Sequence, residues 1–214
     1  MTNMSDVEFV VRTIAQTAVD NEKYFGDLDA VVGDGDFGYS LARGFEIVLS
    51  DWDSYDRTDI STFLSKVAIA ITGRIGGTSG PIWVTAFLRA AAVAKGKTEI
   101  TGEDVVAMLR GAIAGIMARG KAELGDKTLL DALAPLTDTI EAELVGESSA
   151  REILSAAALT ARSAADATTP MIARRGRAAY TGERSIGSPD AGAVAVAVIV
   201  EAIASHWDNR DSAN

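Results

Sequence analysis

Leu28-Asp29-Ala30-Val31-Val32-Gly33-Asp34-Gly35-Asp36-Phe37-Gly38 is the stretch around which the rest of the chain is organised. Its three aspartates stand at spacing i, i+5, i+7 among three glycines. A regular helix would splay Asp29 from Asp34, and glycines this dense weaken both helix and strand. A tight loop can fold back and aim all three carboxylates at one point. Three such charges repel unless a cation lies between them, and an all-oxygen donor set favours a hard ion, Mg2+ or Ca2+. The D-x-D-x-D-G ladder and twelfth-position Glu of an EF-hand are missing. Read by itself, the stretch is as much a solvated Asp/Gly turn as a metal site.

On either side the pattern is helical. Val7, Val11, Ile14 and Ala18 recur at steps of four, three and four, which predicts an amphipathic helix from Ser5 to Glu22. Further helices are expected over Tyr39–Leu49, over Ile60–Thr72 behind Asp59 as cap, and over Ile82–Ala94 with Pro81 in the first turn. Thr101 caps a fifth, whose Val105, Met108, Leu109, Ala112, Ile113 and Ile116 share one face. The sixth spans Thr128–Leu144, with Pro135 as a kink. Ser149 and Glu152 form a capping box for the seventh, which runs to Ala167. Ser188-Pro189-Asp190 opens the last, which runs to Trp207 and leaves a polar, frayed tail.

Eight helices, no strand and no linker long enough to divide residues 1–214 predict a single all-α domain, an antiparallel up-and-down bundle. The polar, Gly-rich segments fall at alternate helix junctions. Alternate junctions of such a bundle lie at the same end. The aspartate loop, Gly76–Gly80, Gly120–Lys127 and Gly176–Asp190 are therefore expected to converge.

Composition narrows the partners. Hydrophobic residues make up 48% of the 214 residues with only 6% aromatic, which suits packed helices better than a β-sandwich. A net charge of −10 argues against nucleic acid or an anionic membrane. It does not exclude phosphate ligands, because a divalent metal reverses the local sign. There is no cysteine, the N-terminus is polar, and the longest apolar run, Ala191–Val200, is too short to span a bilayer. A soluble cytoplasmic protein is expected.

At the expected common end, Gly76-Gly77-Thr78-Ser79-Gly80 before a helix offers backbone N–H groups, two hydroxyls and a positive helix terminus, which suit a phosphate. It lacks the Gly-Lys-Ser/Thr of a Walker loop and is equally readable as a tight helix–helix turn. Arg174, Arg175, Arg177 and Arg184 are concentrated in one irregular segment of an acidic chain, a pattern that invites an anion. Carboxylates for metal, amides for phosphate and arginines for residual charge suit phosphoryl transfer, which needs positioning and charge neutralisation more than a protein nucleophile. His206, in the last helical turn, is read as a surface or packing residue.

These motifs resemble the L subunit, the nucleotide-binding part, of dihydroxyacetone kinases. The resemblance covers Leu28 to Ala202 through four ordered motifs: the aspartate stretch, Gly76–Gly80, Gly125-Asp126-Lys127-Thr128-Leu129-Leu130-Asp131, and Gly176-Arg177-Ala178 through Gly182–Gly187 to Asp190-x-Gly192-Ala193. It implies an antiparallel eight-helix barrel with the nucleotide at one rim. It implies two Mg2+ ions on Asp29, Asp34 and Asp36, with ATP or a tightly bound ADP. Phe37, Gly38, Tyr39 and Ser40 would lie beside the phosphates, and Gly77, Thr78 and Ser79 would hold them. Gly120 and Leu129 would flank the base, with Arg177, Asp190, Ala191 and Gly192 completing the pocket. The implied partners are a K-type subunit that holds the substrate covalently and, in phosphotransferase-system versions, an M-type phosphocarrier; a homo-oligomer is also admitted. Phe37 and Ser40 stand where the family usually has histidine and asparagine. That departure fits another short ketose as substrate, or the alternative of a nucleotide-binding regulatory module without turnover.

Overall fold

Side chains that accept the orphan amide hydrogens of a first turn set most helix starts. In the computed structural model, which describes residues 2–77, 79–146 and 148–212, nine α-helices are described. They are α1 (Met4–Asp20), α2 (Glu22–Ala30), α3 (Phe37–Ser50), α4 (Ile60–Ile71), α5 (Ser79–Val93), α6 (Gly102–Gly120), α7 (Leu130–Val145), α8 (Ala150–Ala167) and α9 (Ala191–His206). Asn3 with Asp6, Thr101 with Asp104 and Ser149 with Glu152 form reciprocal capping boxes, while Asp59 and Asp190 each accept one first-turn N–H.

The helices form a closed ring. Each of α3 to α8 packs on the next in chain order, α3 packs on α1, and α9 packs back on α1. The fold is all-α, as expected. Two short strands, β1 (Thr2–Asn3) and β2 (Glu99–Ile100), pair antiparallel and tie the N-terminus to the α5–α6 connection.

The ninth helix, α2, corrects the expected start of the acidic loop. The first helix does not run to Glu22; the backbone and side-chain N–H groups of Asn21 both donate to Thr17 O, at 3.1 and 2.9 Å, and end it. The chain restarts at once as α2, held by fully buried Phe25 and packed across α3 and α9. Asp29 therefore lies in the last turn of a helix. Gly26, Asp27 and Asp29 are poor helix formers, so tertiary burial overrides local propensity here. The C-terminal tail also differs from expectation: Trp207–Ser212 continue as 3₁₀ turns, with Arg210 Nε paired to Asp6 at 2.7 Å.

Together with its 3₁₀ extension, α9 gives the one stretch among the described residues, Ala191–Arg210, long and apolar enough to cross a membrane by length and composition. Its Ala193, Val194, Ala195 and Ala197 are buried, and it packs against α1, α7 and α8, as a core helix does. Ala157, Ala161 and Ala165 of α8 have no exposed surface, and these small side chains let α8 approach α9 closely.

Within the ring is a cavity of about 290 Å³ with an almost wholly apolar lining, to which Val11, Trp83, Met108, Ala112, Leu133 and Ile199 contribute. Ala112 is buried at its edge. Ala112→Leu directs three more carbons at this space with only a small loss of helix propensity. The expected gain is about 1 kcal/mol, read by calorimetry as a Tm rise of about 3 °C. An unchanged or lowered Tm would mean that the cavity wall cannot accept the side chain.

Candidate functional site

The acidic cluster is assembled from a helix end, a glycine turn and a helix start. Asp29 closes α2, Asp34 lies in the connecting turn, and Asp36 is the residue before α3. The Asp36 side chain makes no capping hydrogen bond to α3 and so remains available. The three residues can each offer one carboxylate oxygen, all within 4.8 Å of one another. Asp29 is partly buried; Asp34 and Asp36 are exposed. Gly33 permits the arrangement, since a Cβ there would stand 2.3 Å from Asp29 Oδ1. Gly38 brings α3 against α2, because a Cβ would lie 2.0 Å from Glu22 O. The donor set suits a hard divalent cation.

The residues after the triad face in different directions. The Phe37 ring packs partly on the core, with its centroid 6.2 Å from that of Phe25. Its backbone N–H points at Asp29 Oδ2 at 3.4 Å. Tyr39 is 58% exposed, with the Arg43 guanidinium 5.2 Å from its ring centroid. Ser40 borders the second glycine loop, as a Cβ on Gly76 would sit 3.3 Å from Ser40 Oγ.

Four junctions do converge on this end. Arg177 reaches from the α8–α9 segment to the acidic cluster, where its guanidinium pairs with Asp34 and lies 3.6 Å from Asp36. The preceding residue, Gly176, lines a cavity of about 310 Å³ together with Gly77, Ile82, Ile116, Gly120 and Leu129. Of the residues expected around a nucleotide, Gly77, Gly120 and Leu129 thus share one cavity. Arg177 is turned to the aspartates. Asp190 caps α9 through Ala193 N at 2.7 Å, and Gly192 abuts Leu129. Ser79 begins α5, and Thr78 lies outside the described residues.

Sequence reasoning assigned no site role to the lining residues Pro81, Ile82, Ile116, Arg119 and Ala122, and gave Arg175 only as part of a basic segment. The isoleucines read as ordinary core positions of α5 and α6. Arg119 reads as a favourable last-turn cation on α6, and only its place beside Gly120 hinted at more.

Beneath the cavity the α6–α7 turn grips the long α8–α9 segment. Lys127, 2% exposed and in the left-handed region at φ 62°, donates from Nζ to Met171 O at 3.1 Å, Ser185 O at 2.5 Å and Ser188 O at 2.7 Å. Asp126 pairs with Arg175 Nε at 2.8 Å and accepts from Arg174 N at its backbone oxygen at 3.0 Å. Asp131 accepts from Gly125 N and Thr128 N. Burial pushes the Lys127 ammonium below its usual range, against the pull of Asp190. Burial pushes the Asp190 carboxyl up to about 7, opposed by the Ala193 N–H and by Lys127 and reinforced by Asp131.

The family model described as the DAK2 domain matches residues 31–205. The chain is 37% identical over 182 residues to the ADP-binding subunit DhaL of the PEP-dependent dihydroxyacetone kinase of Escherichia coli, covering 85% of this chain and 87% of that one. It is 35% identical over 199 residues to the L-erythrulose 1-kinase of Mycolicibacterium smegmatis, covering 92% of this chain and 34% of the relative. The crystal structure of the dihydroxyacetone kinase from C. freundii in complex with AMP-PNP and Mg2+ superposes with a TM-score of 0.74 at 26% identity, over 93% of this chain and 33% of that one. The chain spans about a third of the length of these last two proteins.

The raised Asp190 pKa has a defined consequence. Between the unfolded value of 3.8 and the folded value of about 7, the folded chain holds a proton that the unfolded chain has released. Its stabilising contribution is complete below this window and is lost as the pH rises through it. Asn caps helices as well as Asp does, so Asp190→Asn keeps the α9 start. Urea midpoints from about pH 5 to about pH 8 should fall less in this variant than in the wild type. Equal slopes would remove Asp190 as the titrating group.

Proposed function

The chain belongs to the DAK2 domain family, among the DhaL subunits of dihydroxyacetone kinases, and we propose that it is the nucleotide-binding, phosphoryl-transferring subunit of such a kinase. Its substrate is dihydroxyacetone or a related short ketose held by a separate K-type subunit. Residues 1–214 act as one domain in the cytoplasm. The observation that carries this reading is the continuity of two unlike sites: Gly176 lines a largely apolar cavity, and Arg177, next in the chain, touches the acidic cluster. A nucleotide has this polarity, with a flat base at one end and a metal-bound polyphosphate at the other.

In this reading Asp29, Asp34 and Asp36 hold two Mg2+ ions. When bound, the ions neutralise phosphate charge and align the transferring group. Ile82, Ile116, Gly120 and Leu129 enclose the base and exclude water. Amides at the start of α5, with the Thr78 and Ser79 hydroxyls, hold phosphate oxygens. Arg177 places a cation at the rim where charge develops during transfer. The chain needs no nucleophile of its own, because a substrate hydroxyl on the partner receives the phosphoryl group.

The K-type partner docks over this rim. Val31 and Tyr39, beside the triad in sequence, and Tyr180, three residues past Arg177, are exposed apolar side chains, and Tyr180 is 89% exposed. Relatives named as PEP-dependent or PTS-dependent ADP-binding subunits support a nucleotide that stays bound and is rephosphorylated by an M-type phosphocarrier. Exchange with free ATP is the alternative donor route.

Asp34→Ala is expected to weaken ADP binding in Mg2+, measured by calorimetry, by more than the roughly 10–100-fold typical of losing an outer-shell partner. Unchanged affinity would sink the assignment. Tyr180→Ala should leave ADP binding intact and weaken K-subunit binding by about tenfold, as loss of an aromatic anchor does. Phosphate transfer to a short ketose in the reconstituted pair excludes a purely regulatory role.

A further inference from the structure

We infer that Lys127 is a positioning residue for phosphoryl transfer, acting through Arg177. Its three ammonium hydrogens meet three backbone carbonyls, Met171, Ser185 and Ser188, that lie on both sides of Arg177 in sequence. The ammonium thus closes the irregular segment into a loop with Arg177 at its far side. The loop is stitched further by Ser185 Oγ, which accepts from Ala173 N at 2.9 Å and donates to Gly182 O at 2.6 Å, and by Gly187 N to Thr169 O at 2.9 Å. Asp126, one residue before Lys127, holds Arg174 and Arg175 on the near side. The loop can therefore shift little without breaking several of these bonds, and Arg177 lies over Asp34 and Asp36 because of it.

Two features separate this role from ordinary surface charge. Lys127 occupies a left-handed backbone position that disfavours a side chain, yet it carries one of the longest. Its Nζ donates to three carbonyl oxygens, two of them in buried hydrogen bonds, so an apolar replacement leaves those acceptors without this donor. Lys127 itself does not line the cavity and touches no carboxylate of the triad. Its effect on chemistry must pass through the loop.

This inference rests on the proposed function, and the test separates the two. Lys127→Met, Arg177→Ala and the double variant are compared in the full chain, alone and reconstituted with a K-type subunit. Trypsin should cut Lys127→Met between Arg174 and Arg184 about tenfold faster than the wild type, the consequence of orphaning buried acceptors. The transfer kcat should fall by about 100-fold with the nucleotide KM within about threefold, the signature of misplacement rather than lost binding. The double variant should be no slower than Arg177→Ala, since both changes remove one contribution.

Unchanged cleavage, or multiplying rate losses with a competent wild type, overturns the role of Lys127 alone. A wild-type chain that neither binds ADP with Mg2+ nor transfers phosphate overturns the proposed function, and this inference with it. If Lys127→Met fails to fold, Lys127→Gln, which keeps two donors, takes its place. Loss of the fold in both makes Lys127 a general stability residue and also overturns the inference.

Discussion

Mutual repulsion of Asp29, Asp34 and Asp36 is the constraint on which this end of the molecule depends. Three carboxylate oxygens within 4.8 Å of one another repel, and a counter-charge beside them relieves that repulsion. Arg177 supplies one, from a segment more than 140 residues away in sequence. For that reach, α8 and α9 must deliver their connection to the end of the ring where α2 and α3 meet. The closure of α9 onto α1 achieves this. The charge problem and the topology are therefore two aspects of one requirement.

The ring meets this requirement with small side chains on one flank and large ones on the other. Alanines of α8 and α9 let these helices pack closely, whereas Phe25, Phe45, Phe63 and Trp52 fill the side formed by α1, α3 and α4. Between the flanks, side chains of α1, α5, α6, α7 and α9 line an apolar cavity. The rim is thus anchored on well-packed α2 and α3 and spans a less completely filled centre.

Much of this was legible in the chain. Capping pairs such as Thr101–Asp104 and Ser149–Glu152 depend on local geometry alone, so helix starts could be read from sequence. The convergence of the four loops followed from counting helices, and the Arg177–Asp34 pair agrees with it. The extra helix α2 evaded that count, and it packs on α3 and α9 beside the aspartate turn. What could not be read depends on side-chain direction. Nothing local to Phe37 says that its ring turns toward Phe25 rather than toward the aspartates. Nothing local to Lys127 distinguishes a surface lysine at a helix start from an ammonium enclosed by carbonyls 44 to 61 positions later. Arg119 was hidden for the same reason, and Arg175 was legible only as one of a basic run, since their contribution to the cavity appears only when α6 and the α8–α9 segment are brought together.

The placement of Asp29 on α2 changes how the acidic cluster should be understood. A loop carrying all three carboxylates would move as a unit. Here Asp29 is partly buried at the end of a helix anchored by Phe25, and its carboxylate faces the Phe37 amide. Asp34 and Asp36 are exposed, on a turn whose Gly35 has φ 75°, and they are the two that engage Arg177. The cluster thus combines one donor held on a helix with two on an exposed turn. A hard divalent cation bound here would meet one donor set by the packing of α2 and two set by the turn. The helix that sequence reasoning missed is therefore the part of the site that gives the acidic turn a fixed point to close against.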